Sequence, residues 1–98
     1  VYNQCTFIGP VVEKKMHETT TGKPMLFFRV KTWDKEDRAS FIECTAYSAL
    51  AERIWQDFPE GRVIFITCRA HNYKDKEGHQ KTSFVVESFE YCSPKASA

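Results

Sequence analysis

The sequence predicts an all-β fold with one short helix: a five-stranded Greek-key barrel whose helix lies between strands 3 and 4. Three observations predict it. Five stretches alternate apolar and polar residues with period two, the pattern of strands that bury one face. One stretch, beginning after Tyr47, repeats its apolar residues every four positions, as a helix with one buried stripe does. Gly, Pro, Asp and Thr collect between these stretches, where the chain must turn.

The first strand is NQCTFIGPVV (3–12), in which Gly9-Pro10 breaks the alternation and calls for a bend or bulge. EKKMHETTTGKP (13–24) is polar and ends in a Gly-Lys-Pro turn, so it reads as a loop or a frayed continuation of that strand. In MLFFRVKTW (25–33) Leu26, Phe28, Val30 and Thr32 line the core side, and Met25, Phe27, Arg29, Lys31 and Trp33 the other. DKEDRA (34–39) is a charged hairpin loop. The third strand turns Ile42, Cys44 and Ala46 inward and Phe41, Glu43, Thr45 and Tyr47 outward. Ser48 suits a helix N-cap, Leu50, Ile54 and Phe58 give the buried stripe, and Pro59 and Gly61 stop the helix. RVIFITCRAHNY (62–73) is the fourth strand, KDKEGHQK (74–81) a hairpin loop turning at Gly78, and TSFVVESFEYC (82–92) the fifth strand. A single domain therefore spans residues 1–92, with SPKASA (93–98) as a flexible tail. This order of elements is that of the OB-fold, a small barrel that holds oligonucleotides or oligosaccharides on its strand 2–3 face and adjoining loops.

Composition narrows the function. A chain of 98 residues is one domain, able to bury roughly two-thirds of the surface its unfolded form exposes. A net charge of +1 gives no global attraction to a polyanion, so any nucleic-acid partner must be met by local placement of Arg and Lys. The apolar runs fall far short of the ~20 residues of a membrane span, so no membrane partner is expected. Cys5, Cys44, Cys68 and Cys92 form no CxxC pair and have no His at metal-ligand spacing. They read as thiols packed in or near the core of a reduced, cytoplasmic protein without metal or cofactor. His17, His71 and His79 lie far apart, and the sequence lacks HxH, HExxH, paired-carboxylate and glycine-rich phosphate patterns, so neither catalysis nor a small-molecule substrate is expected.

Aromatic residues make up 14% of the chain, and their positions are more telling than their number. If strands 2 and 3 pair as a hairpin, Phe27, Trp33, Phe41 and Tyr47 share one outward surface with Arg29 and Lys31, and Glu43 is the single carboxylate of that set. Such a surface suits a single nucleic-acid strand: unpaired bases stack on rings for about 1–3 kcal/mol each, whatever their identity. Arg29 and Lys31 can then meet phosphates between the stacked bases. Tyr73, at the tip of strand 4, extends the stacking path along the last hairpin, where Lys74, Lys76 and Lys81 are available to the backbone. Trp55 sits beside the helix stripe, which assigns it to packing rather than to a ligand. Two alternatives use the same residues. The rings can be covered by another subunit or by a protein of a replication or conjugation complex, or the strand can be RNA, since stacking does not inspect the 2′-OH. Sheet edges that pair across subunits predict a homo-oligomer, dimer or tetramer.

From about Asn3 to Val86 the sequence resembles bacterial and phage single-stranded DNA-binding proteins of the SSB type. NQCTFIGPVV resembles the family's first strand, TGKPMLFFRV its Gly-turn and second strand, and FPEGRVIFI the start of its fourth. FIECTAYSALAE resembles the third strand entering the helix, the most specific match, and YKDKEGHQKTSFVVE the final hairpin. The resemblance implies an OB-fold that coats single-stranded DNA with little sequence preference during replication, recombination or transfer. It carries the family's stacking positions onto Phe41, Tyr47 and Tyr73 and close to Trp33. Phe41 and Tyr73 stand where members commonly have Trp, which reduces stacking area. Cys68 replaces a frequent Gly, and Ile42 a frequent His near subunit contacts. SPKASA lacks the acidic, Phe-ended tip of many members, as expected of a trimmed chain or of a phage- or plasmid-borne member.

Overall fold

β1 (Cys5–Glu18), β2 (Pro24–Trp33), β3 (Ala39–Tyr47), α1 (Ser48–Asp57), β4 (Val63–Lys74) and β5 (Gln80–Tyr91) follow one another along the chain. They are seen in a computed structural model that describes residues 3–92; the expected tail at 93–98 lies outside the described residues. The strands close into a barrel in the order β1-β2-β3-β5-β4, with the helix between β3 and β4, so the expected OB-fold is the fold observed. No helix among the described residues is long and apolar enough to cross a membrane.

β1 serves two neighbours. Its first half pairs antiparallel with β4, from Cys5↔Cys68 to Pro10↔Val63, and its second half pairs with β2, from Val11↔Val30 to Glu18↔Pro24. The handover presses β1 against β2: a Cβ on Gly9 would lie 2.0 Å from the carbonyl oxygen of Lys31. Gly9 is thus demanded by contact, not by an unusual φ. A bulge follows between Val11 and Lys14, where Glu13 takes a φ of 76° and adds local twist. Residues 13–18, read from sequence as loop or frayed strand, are ordered strand. Their polarity misleads because these side chains still find partners in the fold: Lys14 holds its ammonium 4.6 Å from the centre of the Trp55 ring, and His17 meets Phe27 edge-on.

Three hairpin turns share one design. In Thr19–Lys23, Asp34–Arg38 and Asp75–His79 the first residue's N–H donates to the fifth residue's carbonyl at 2.8, 3.1 and 3.0 Å. The fourth residue's N–H returns to the first carbonyl, and that fourth residue (Gly22, Asp37, Gly78) has positive φ. Such a turn followed by one left-handed residue matches the twist of the flanking strands. The first side chain locks it. Asp75 Oδ1 accepts N–H bonds from Glu77 and His79 at 2.9 and 2.8 Å, and Asp34 Oδ1 those from Glu36 and Arg38 at 2.8 and 2.9 Å. The backbone N–H groups of Arg38 and Glu36 hold the Asp34 carboxyl below the usual carboxylate range. The last loop is therefore tighter than the 74–81 expected, and Lys74, Gln80 and Lys81 belong to strands.

Val11, Leu26, Phe28, Val30, Cys44, Ala46, Ile64, Ile66 and Cys68 fill the barrel, and Ala51, Ile54 and Phe58 of the helix segment join them. Ile54 and Phe58 are fully buried, as the stripe predicts, with Leu50 half-buried. Ser48 is not the N-cap expected. That position is Tyr47, with no side-chain cap, and Ser48 turns the chain from strand into helix through a φ of 55°. Phe58 stacks on Tyr91 (ring centres 5.2 Å apart, planes 11° from parallel) and meets Phe89 edge-on. Burial pushes the Cys44 thiol up, and that of Cys68 up to about 11, so both remain protonated and inert. Cys5 is half-buried, but Cys92 is exposed and departs from the expectation that all four thiols pack near the core.

Candidate nucleic-acid interface

The β2–β3 register sets out the face in rungs: Met25↔Tyr47, Phe27↔Thr45, Arg29↔Glu43, Lys31↔Phe41 and Trp33↔Ala39. Because Leu26, Phe28, Val30, Cys44 and Ala46 are buried, their odd-numbered neighbours point away from the core. Phe27, Trp33, Phe41, Tyr47 and Tyr73 are all exposed, from 41% for Tyr73 to 53% for Phe41. Thr45 is the exception on this side. Sequence alternation turns it to solvent, yet it is 4% exposed: β5 pairs alongside it in the sheet, and its hydroxyl is hydrogen-bonded to that of Ser83 at 3.1 Å.

The strand order explains how Tyr73 joins the face. β3 and β5 are neighbours, with β2 beyond one and β4 beyond the other. A trough runs over β3–β5, with Phe27 of β2 and Tyr73 of β4 on its walls and Thr45 and Ser83 on its floor. It has two lobes of about 240 and 310 Å³. The first ends in Glu13, Lys15, Arg29 and Glu43, and the second in Tyr47, His71 and Val85. The structure thus gathers Phe27, Tyr47 and Tyr73 at the trough, while Phe41 and Trp33 continue the path past the Arg29–Glu43 rung.

The cations are less uniform than the rings. Arg29, read from sequence as a phosphate contact, is held between two carboxylates, Glu13 at 3.4 Å and Glu43 at 3.1 Å. Lys31 lies over the Trp33 ring at 5.2 Å, and Lys81 stands 3.8 Å from Asp75. Among the described residues Lys74 and Lys76 make no ion pair. Three residues that sequence reasoning left out of the face come from the second half of β1. Glu13 reaches Arg29, Lys15 pairs opposite Phe27 and lines the trough, and His17 sets its ring edge-on to Phe27 at 5.2 Å. The signal was present: Lys15 and His17 alternate with Lys14 and half-buried Met16 at period two. Trp55 stays off the face, under Lys14, whose ammonium also donates to the Trp55 carbonyl at 3.0 Å.

A path of exposed rings flanked by lysines and centred on a barrel hairpin is what single-strand binding requires. The family model for the single-strand binding protein family matches residues 2–91. No individual curated protein matches the sequence significantly. The crystal structure of the SSB domain of a Synechococcus protein superposes with a TM-score of 0.76 over 93% of this chain and 97% of that one, at 14% identity, which speaks for the fold. The chain belongs to the single-strand binding protein family, whose members bind single-stranded DNA and catalyse no reaction.

Proposed function

We propose that the protein coats single-stranded DNA with little sequence preference, protecting it during replication, recombination or transfer. Bases stack on Phe27, Tyr47 and Tyr73 around the trough and on Phe41 and Trp33 beyond it. Phosphates run along the rim, met by Lys31, Lys74, Lys76, Lys81 and Lys15. Arg29 contributes less charge than the sequence promised, since Glu13 and Glu43 already offset it. The observation that carries this reading is the continuity of five exposed rings from the β2–β3 ladder onto the β4–β5 hairpin. Salt dependence tests the phosphate half of it. Each phosphate neutralised contributes a slope of about −0.7 to log affinity against log salt, so Lys74→Ala with Lys76→Ala should flatten the slope by about 1.4. An unchanged slope would remove the hairpin from the binding path.

Self-association is part of the proposal, and a different surface supports it. On the outer side of β1–β4, Ile8 is 55% exposed opposite half-buried Phe65, with Val63 beside it. Apolar residues grouped on a sheet face far from the ring path suit an interface between copies, dimer or tetramer. Sedimentation across a dilution series should give an oligomer that Ile8→Glu converts to monomer; an unchanged mass would place the contact elsewhere.

A further inference from the structure

The centre of the face poses a problem that phosphate binding does not solve. Glu43 brings negative charge to a surface meant for a polyanion, and the fold holds it there. Arg29 binds one of its oxygens, Oε1 at 3.1 Å, and is itself steadied on the other side by Glu13. Glu43 Oε2 has no partner among the described residues. It is a positioned acceptor at one end of the lobe between Phe27 and Tyr73. On the same side of β3, two residues along and so about 7 Å away at the Cα, lies the Thr45–Ser83 hydroxyl pair. The pair shares one hydrogen internally, which leaves the second free to donate.

We propose that this lobe is a selective subsite for one cytosine within an otherwise sequence-indifferent path. The inference rests on the single-stranded DNA reading above. In a single strand the Watson–Crick edge is open to side chains. A cytosine stacked on Phe27 or on Tyr73 within this lobe presents its N4 amino group to Glu43, a pairing that carboxylates make with this base. Its ring nitrogen and carbonyl oxygen are acceptors for the spare hydroxyl hydrogen of Thr45 or Ser83. Thymine has the same ring and stacks in the same way, but it sets a carbonyl oxygen against the carboxylate, acceptor against acceptor. Adenine also sets an amine beside an acceptor ring nitrogen, so the lobe tells it from cytosine by the size of the purine and not by hydrogen bonding. Arg29 is a positioning residue here: it aims Glu43, and the two carboxylates keep its own charge from drawing a phosphate into the lobe. The backbone is left to the rim lysines.

The test compares dissociation constants for dC and dT oligomers of equal length, at one salt concentration and pH 8, for the full chain and two variants. Glu43→Gln keeps the shape but offers a donor as well as an acceptor. It should lower the preference for dC over dT by roughly fivefold. Glu13→Gln removes the same charge beside the same Arg29, and it should tighten both oligomers while leaving their ratio within about twofold of the parent. If Glu43→Gln instead tightens dC and dT by the same factor, the carboxylate merely repels phosphates and the subsite is refuted, with DNA binding intact. If the parent protein binds neither oligomer, the DNA reading falls and the subsite with it.

Discussion

Gly9→Ala should be the most damaging single-methyl change in this protein. The added Cβ would stand 2.0 Å from the Lys31 carbonyl oxygen, with the Lys31 carbonyl carbon at 3.1 Å and Val30 Cγ1 at 3.2 Å. Two of these three atoms are backbone, so no side chain can swing aside. β1 must lift from β2 or β4 where it passes between them, and Val11, fully buried just beyond, would be drawn out of the core. Overpacking of this kind costs about 1–3 kcal/mol where side chains can relax, and a backbone clash belongs at or above the top of that range. For a domain of this size about 3 kcal/mol corresponds to a fall of roughly 12 °C or more in Tm. Gly78→Ala is the instructive contrast. Nothing lies within 4 Å of its added Cβ, and its φ of 82° costs only about 1–2 kcal/mol for a non-glycine residue. Thermal melts followed by circular dichroism should therefore rank Gly9→Ala well below Gly78→Ala. The reverse order would mean that β1 does not cross β2 as closely as described.

The same crossing marks the limit of what could be read in the residues. Alternation and the four-residue helix repeat were sufficient for element order, and for which sides of β2 and β3 face the core. They were also sufficient to find the stacking rings, because Phe27, Trp33, Phe41 and Tyr47 fall opposite Leu26, Phe28, Val30, Cys44 and Ala46. Period-two reasoning sees one strand at a time, however, and fails where a third element arrives. Thr45 alternates outward but is buried, because β5 comes in beside it, in a parallel pairing that no local pattern announces, and Ser83 bonds its hydroxyl. The polar run 13–18 was undervalued since polarity on both sides usually means a loop, whereas here β2 pairs with one edge and the helix accepts the stem of Lys14. Arg29 shows the electrostatic version of the same limit. Its position on the face beside Glu43 was legible from the hairpin, but its second carboxylate partner, Glu13, comes from β1, whose bulged pairing with β2 no local pattern announces. Ser48 departs from the expected cap because a capping serine and a left-handed residue at a strand–helix corner look alike in sequence.

The second large effect concerns the walls of the trough. Phe27→Ala combined with Tyr73→Ala removes the two rings that face each other across β3–β5, while leaving the buried core untouched. Each stacked base is worth about 1–3 kcal/mol, so losing both rings should weaken single-stranded DNA binding by at least about 30-fold. Trp33 offers the readout, since it lies beyond the trough on the same path and remains in place. Trp55, held under Lys14, can be replaced by Phe to leave Trp33 as the one tryptophan. Titrating this Trp55→Phe protein with oligo(dT), with and without the two wall substitutions, is the most direct measurement of whether the exposed rings receive bases. The parent should show saturable quenching of Trp33 emission, and the wall variant the same quenching only at about 30-fold higher DNA concentration. A parent whose emission ignores DNA, or a wall variant that binds within about threefold of it, would contradict the stacking face itself.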